Sequence, residues 1–436
     1  MVTTKRPTWR NWGGTASCSP ARIVAPAGDD EIAQLLKEAA AEGSKVKVAG
    51  TGHSFTDIAC TDGELVQLHR HGRVLEVDTE ARTVTVEAGL PLLALAEELA
   101  KHGLAQPNLG DIGYQTVAGA ISTATHGTGA TFGTLSTQVT GLRLLTADGG
   151  VLDVTRESDP DTFRAAQVGL GALGVLSRVT LQCEPAFNLR AIEQPEKLDA
   201  VLESFQDRVR DNEHFEFYWF PHTDVCMTKE NNRTDAPLKP KSRAKTWFDD
   251  MFIANRVFGV SQRIGRRWPR TVPRIAKLAG VLLGRTEEVD RSDRVFLTPR
   301  LVRFAEMEYS IPREAAPQAV REIKSLIERE GLIVSFPIEV RAVAPDDAFL
   351  SPAYGRECAY VAVHMFQKVD FHPYFRAVEA IMKELGGRPH WGKWHYRTAQ
   401  DLRPAYPEFD RFLAVRDRLD PGRLFANAYL DRVLGP

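Results

Sequence analysis

Hydrophobic positions recur at helical spacing in residues 29–42 (DDEIAQLLKEAAAE) and predict an amphipathic helix behind an Asp cap. Residues 92–102 repeat the pattern, and Gly103 ends it. Around them the period changes to two. Residues 45–49 (KVKVA) read as a short strand, and residues 73–77 and 83–87 as a β-pair with a turn at 78–82. Residues 139–146 and 151–154 pair across Asp148-Gly149-Gly150, a hairpin signal, and 176–184 is a further strand. After about Pro185 the composition shifts. Residues 213–220 (EHFEFYWF) read as an aromatic strand, with more strands at 305–309, 334–343 and 360–366 and helices at 313–330 and 374–385. The pattern is α+β with many short strands.

Two glycine-rich stretches interrupt this alternation. Residues 48–59 (VAGTGHSFTDIA) follow a strand directly. Gly50 and Gly52 let backbone amides turn toward an anion, Thr51 and Ser54 add hydroxyl donors, and such a nest suits a pyrophosphate. Residues 119–130 (GAISTATHGTGA) alternate small and hydroxyl side chains and could lie flat beneath a planar cofactor. Neither stretch carries the GKS or GKT of a Walker loop, and neither is a GxGxxG in the strand–helix setting of a nicotinamide site.

The runs GTGHSFTDIACTDG and VAGAISTATHGTG resemble the FAD domain of the vanillyl-alcohol oxidase superfamily. More narrowly, the chain resembles the aldonolactone oxidoreductases and the related alditol oxidases. The similarity continues through QVGLGALG (167–174), FPIEVRAVAPDDAFLSPAYGR (336–356), RPHWGKWHY (388–396) and FANAYL (425–430), and is least diagnostic at 193–299. The resemblance implies an α+β, two-domain fold. An FAD-binding domain would span residues 1–188, rejoined by 393–436, with a sheet-and-helix substrate (cap) domain at 189–392. It implies FAD bonded covalently through His53, and a single bond, since residues 108–129 hold no cysteine for a second. Around that link the cofactor would meet Gly50, Thr51, Gly52 and Ser54, then Thr116, Gly119, Ser122 and Thr123. Gly110, His126, Val175 and His390 complete the implied cofactor contacts.

Glu339 and Arg341 stand two apart in PIEVR, which places both on one face of a strand. By resemblance the pair binds substrate hydroxyls beside the flavin. Arg341 would stabilise negative charge, and Glu339 would accept a hydroxyl hydrogen bond and help remove its proton. Lys393 in HWGK would orient substrate or assist proton transfer, and His364 in YVAVHMF matches a substrate-site histidine of alditol oxidases. Asp111 stands where alditol oxidases carry serine, which disfavours a simple alditol pocket. Gly110, its neighbour, matches a position that affects oxygen access. The implied reaction passes hydride from a carbon bearing a hydroxyl to flavin N5, and a sugar lactone so oxidised tautomerises toward an ascorbate-type enediol. The alternative is an alditol oxidase acting on xylitol- or sorbitol-type polyols with O2. Either way the substrate is small and polyhydroxylated, and the electron acceptor is oxygen or another acceptor.

Charge and cysteine usage add limits. Net charge is −2, which selects no nucleic acid partner. The five cysteines form no CxxC pair, so no metal site is expected and a reducing cytoplasm fits. The first residues, MVTTKRPTWRNWGG, lack the apolar core of a secretory signal, and the apolar run at 275–283 is interrupted by Lys277 and too short to span a bilayer. One segment stands apart. Residues 239–285 hold twelve Lys or Arg against two Asp, interleaved with Trp247, Phe248, Phe252, Phe258 and Trp268. This composition implies peripheral contact with a partner or a membrane surface, an anionic lipid surface above all.

Overall fold

A computed structural model describes residues 6–242, 256–298 and 301–436. Near the N-terminus, β1 (Arg22–Val24), β2 (Val46–Ala49) and β3 (Glu64–Gln67) form a parallel sheet in the order β1-β3-β2. Helix α1 (Asp29–Glu42) connects β1 to β2 and buries Ile32, Leu36 and Ala39. Its N-cap is Gly28, with no side-chain cap, so the acids at 29–31 lie in the first turn rather than at the cap. There they still favour the positive end of the helix dipole. β2 runs directly into the first glycine-rich stretch.

The second sheet has five antiparallel strands: β4 (Val74–Asp78), β5 (Thr83–Glu87), β6 (Val139–Leu145), β7 (Val151–Thr155) and β8 (Val175–Gln182), ordered β7-β6-β8-β5-β4. Helix α2 (Leu92–Lys101) packs Leu92, Leu95, Ala96 and Leu99 into the same core. The short α3 (Val117–Ser122) starts at Thr116, whose hydroxyl accepts the Gly119 N–H at 3.2 Å. The C-terminal residues Phe409, Phe412, Phe425, Tyr429 and Val433 join this core from the far end of the chain.

The third sheet has eight antiparallel strands. They are β9 (Asn188–Lys197), β10 (His214–Trp219), β11 (Val225–Arg233), β12 (Thr286–Arg291), β13 (Phe304–Pro312), β14 (Ile338–Val343), β15 (Cys358–Phe366) and β16 (Arg388–Pro389). Their order is β12-β9-β11-β10-β14-β15-β13-β16. The central strands are buried on both faces, yet the two faces differ in chemistry. Phe215, Phe217, Ile338, Val340, Met307, Val361 and Val363 pack against the helices α4 (Leu198–Asp211), α5 (Ala316–Arg329) and α6 (His372–Glu384). Alternate residues turn Glu216, Tyr218, Glu306, Glu308, Glu339, Arg341, Tyr360 and His364 the other way.

The strand predicted at 334–343 is shorter than expected. It begins at Ile338, after Pro337, whose carbonyl lies 3.0 Å from His364 Nδ1. β9, β11 and β12 carry too many polar residues (VCMTKENNR, TEEVDR) to announce themselves by hydrophobic alternation.

Candidate active site

A cavity lies where β2 meets α3 and β8. Its walls include Val48, Gly50, Thr51, Gly52, His53 and Ser54 from the first glycine-rich stretch, Thr116 at the start of α3, and Gly119, Ser122 and Thr123 from the second stretch. Glycine is required here by space. A Cβ on Gly50 would stand 2.6 Å from Thr116 Oγ1, and one on Gly119 would stand 2.9 Å from the same atom. The two stretches therefore touch, and side chains would close the gap between them. Apolar residues (Ala118, Leu144, Leu173, Leu176) cover the rest. A glycine turn with left-handed backbone at Gly52 (φ 78°) and hydroxyl side chains suit a phosphate bridge, and apolar walls suit flat rings, so the cavity fits an FAD.

His53 stacks on Trp12, with ring centroids 5.4 Å apart. Burial, then the nearby Lys393 charge, lower its pKa to about 4, so the imidazole is neutral at physiological pH. Gly392 joins this cavity to a second group of residues. Its carbonyl accepts the Phe55 N–H at 2.7 Å, and a Cβ there would meet His390, Ser54 and Thr123 at 3.3–3.4 Å.

The second group is the polar face of the eight-stranded sheet. Arg341 is its centre. Its guanidinium reaches Glu216 at 2.6 Å, Asp111 at 2.7 Å and Glu339 at 2.5 Å. The Tyr218 hydroxyl donates to Glu339 at 3.1 Å, and Lys229 stands 3.5 Å from Glu216. Burial, only partly offset by Arg341 and reinforced by Asp111 and Glu216, raises the Glu339 carboxyl to about 7. The same acids outweigh burial at Arg341 and hold it well above its ordinary range.

Beside it, Lys393 pairs with Glu306 at 2.5 Å, and His364 Nε2 is 3.5 Å from the same carboxylate. Burial pushes Glu306 up, but Lys393 and His364 hold it down at about 2. Deeper still, His126 Nε2 faces Glu308 at 3.4 Å, and His126 and His390 lie with ring centroids 5.7 Å apart. Their ligand-capable atoms and those of Glu308 all fall within 4.8 Å. Burial drives His390 down to about 3. Its Nδ1 accepts the Gly392 N–H at 3.0 Å.

The structure thus gathers Glu339 and Asp111 around Arg341, and Lys393 and His364 around Glu306, none of them on the cavity wall itself. Gly110, His126, Val175 and His390 do not line the cavity itself. A Cβ on Gly110 would stand 2.9 Å from the His126 carbonyl, and Val175 opens β8 in the core. Sequence reasoning missed Glu216, Glu306 and Glu308. Their signal was present: one acid within HFEFYW and two acids two residues apart in FAEMEYS, strands otherwise too apolar to face solvent. It also missed Lys47, a buried lysine on the cavity wall.

A family profile described as D-arabinono-1,4-lactone oxidase matches residues 179–433, and one described as FAD binding domain matches 20–155. The chain is 47% identical to L-gulono-1,4-lactone dehydrogenase of Mycobacterium tuberculosis (strain CDC 1551 / Oshkosh), over 99% of this chain and 100% of that protein. It is 39% identical to L-gulonolactone oxidase of Bos taurus, over 98% of each. Among solved structures, a solvent-stable cholesterol oxidase superposes with a TM-score of 0.80 at 18% identity, covering 99% of this chain and 98% of that one. Cholesterol oxidase from B. sterolicum gives 0.82 at 18% identity, over 98% and 97%. These two share the fold, a vanillyl-alcohol oxidase-type arrangement of an FAD-binding domain and a second, sheet-based domain.

Proposed function

The chain belongs to the D-arabinono-1,4-lactone oxidase family, and from that membership we propose that it is an FAD-dependent oxidoreductase that oxidises a CH–OH group of a sugar-derived lactone of the L-gulono- or L-galactono-1,4-lactone type. The observation that carries this reading is the junction at Gly392, which packs against Ser54 and Thr123 of the glycine-lined cavity and directly precedes Lys393, the partner of Glu306. Residues 1–188 with 393–436 are assigned to the cofactor domain and 189–392 to the cap.

FAD supplies the hydride acceptor. Glu339, whose carboxyl is raised to about 7, takes the proton of the reacting hydroxyl as its carbon gives up hydride. Arg341 and Lys393 orient the substrate oxygens and balance charge as that proton leaves. His364, held by Glu306 and Pro337, and Asp111, held by Arg341, border the substrate. Gly110, packed against the His126 carbonyl, bears on oxygen access, and the acceptor is oxygen or another acceptor. A neutral His53 has the nitrogen lone pair that a covalent flavin bond requires. Under anaerobic conditions, L-gulono-1,4-lactone should bleach the flavin faster than xylitol does. No bleaching with any aldonolactone or polyol would sink the proposal. An acid-soaked denaturing gel should fluoresce for the parent and stay dark for His53→Ala.

We also assign peripheral membrane contact to residues 239–285, with a cytoplasmic location. Among the described residues no helix is long and apolar enough to cross a membrane. Trp268, Leu278, Val281 and Leu282 are 57–81% exposed, while Arg266, Arg267, Arg270, Arg274 and Lys277 are exposed around them. Apolar side chains ringed by cations suit an anionic bilayer. Trp247, Phe248 and Phe252 of the same basic segment lie outside the described residues. Flotation with phosphatidylglycerol vesicles should carry the protein and phosphatidylcholine vesicles should not. Equal behaviour with both would end this assignment.

A further inference from the structure

Lys47 has no role in the chemistry above, and its environment is unusual for a lysine. It lies on β2, three residues before the Gly50 turn, and is 2% exposed. A buried amine must be matched by acceptors. Lys47 Nζ donates to the Gly171 carbonyl at 3.1 Å and to the Phe425 carbonyl at 3.2 Å. Asp420, the nearest acid to act on it, has its own oxygens taken by the N–H groups of Leu424 at 2.7 Å and Phe425 at 2.9 Å. Two carbonyls from two distant segments therefore use two of the three hydrogens of an ammonium. The side chain also forms part of the cavity wall, together with Gly171 and Leu173.

The order of these wall residues along the chain points to the part of the cofactor that meets Lys47. His53 and Ser54 stand at the Gly392 end, toward Lys393. Gly50 and Gly52, with their turned amides, come next along the chain, and Lys47 precedes them on the strand. With the flavin at His53 and the diphosphate over the glycine turn, the remaining half of an FAD, its adenosine, falls to the Lys47 end. Adenine ring nitrogens and ribose oxygens are acceptors, and an amine inside an otherwise apolar wall is a donor without competition from water.

We propose that Lys47 borders the adenosine half of FAD, donates a hydrogen bond to it, and ties that end of the cofactor to the C-terminal segment through Phe425. The proposal rests on the FAD reading above. Burial lowers the Lys47 amine to about 7, and the third hydrogen that reaches the ligand belongs to its protonated form.

The test uses full-length protein carrying His53→Ala, in which flavin is dissociable, with and without Lys47→Met. FAD and FMN affinities are measured by fluorescence, and Tm without flavin by calorimetry. FMN carries the flavin and one phosphate but lacks adenosine. Lys47→Met should weaken FAD at least tenfold, leave FMN within twofold, and leave the flavin-free Tm unchanged or higher, because it removes a buried amine. FAD should also protect the chain beyond residue 419 from proteolysis in the Lys47 protein and not in Lys47→Met. An FAD affinity unchanged within twofold, or equal losses for FAD and FMN, would overturn the proposal and leave the flavin reading standing. A His53→Ala protein that folds but binds neither compound would overturn the flavin reading itself.

Discussion

The cofactor cavity and the polar face of the eight-stranded sheet meet at Gly392, yet they are built in opposite ways. The cavity is shaped mainly by backbone. Its glycines let two loops approach within 2.6 Å of where a Cβ would sit, and most of its side chains are small or apolar. The sheet face is built from charge: Asp111, Glu216 and Glu339 around Arg341, and Glu306 beside Lys393. A backbone-lined site is specified by a few consecutive residues. A charged, buried site is specified by partners hundreds of residues apart, and each charge depends on all the others.

That contrast sets what each substitution should do. The largest effect is expected on the charged side. Arg341→Met leaves two buried acids, Glu216 and Glu339, and the half-buried Asp111 without their common partner. It should cost about 3–5 kcal/mol of stability and abolish turnover, read by denaturant unfolding and steady-state kinetics. Stability equal to that of the parent would mean the network is not held as described. Glu339→Gln comes next and should reduce kcat by about 10²–10⁴. In the parent, kcat/KM should rise as pH passes about 7, where the carboxyl ionises, and that limb should vanish in the variant. The stability consequence follows from the raised value. A carboxyl raised in the fold favours folding below its unfolded pKa and loses that as pH rises through about 7. Glu339→Gln should therefore gain more Tm over the parent at pH 8 than at pH 5.

On the backbone side, Gly50→Ala should act on cofactor loading rather than on chemistry. The added methyl meets Thr116 Oγ1, so flavin content per chain should fall severalfold while any loaded fraction keeps the parent kcat. A fall in kcat of the loaded fraction would show that the two regions are not separable in this way. The smallest effect belongs to Asp111→Asn. It removes one of the charges that raise Glu339, after burial the leading cause, and should move the acid limb of kcat/KM to lower pH. An unmoved limb would place Asp111 outside the electrostatics of Glu339.

Legibility in the sequence follows the same division. The first glycine-rich stretch, its His53, and the hydroxyl-rich second stretch could be read as a cofactor site because they are local and dense. Glu339 and Arg341 could be placed on one face of a strand because two-residue spacing fixes that. Glu216 and Glu308 could not be assigned partners, since their strands lie next to β14 and β15 only after the sheet is ordered β10-β14-β15-β13. Nor could the spacing of residues show that Val175 and His390 stand off the cavity wall while Lys47 stands on it.

By itself, then, the sequence determined the α+β alternation, the two glycine turns that only backbone can fill, and the chemical types available at the site. These depend on interactions between near neighbours in the chain. The tertiary structure decided which carboxylate pairs with which cation, which histidine is stripped of its proton by burial, and which acid is held near neutrality. Those outcomes depend on desolvation and on charges brought together from separate strands, and neither exists until the sheet has formed and closed over its polar face.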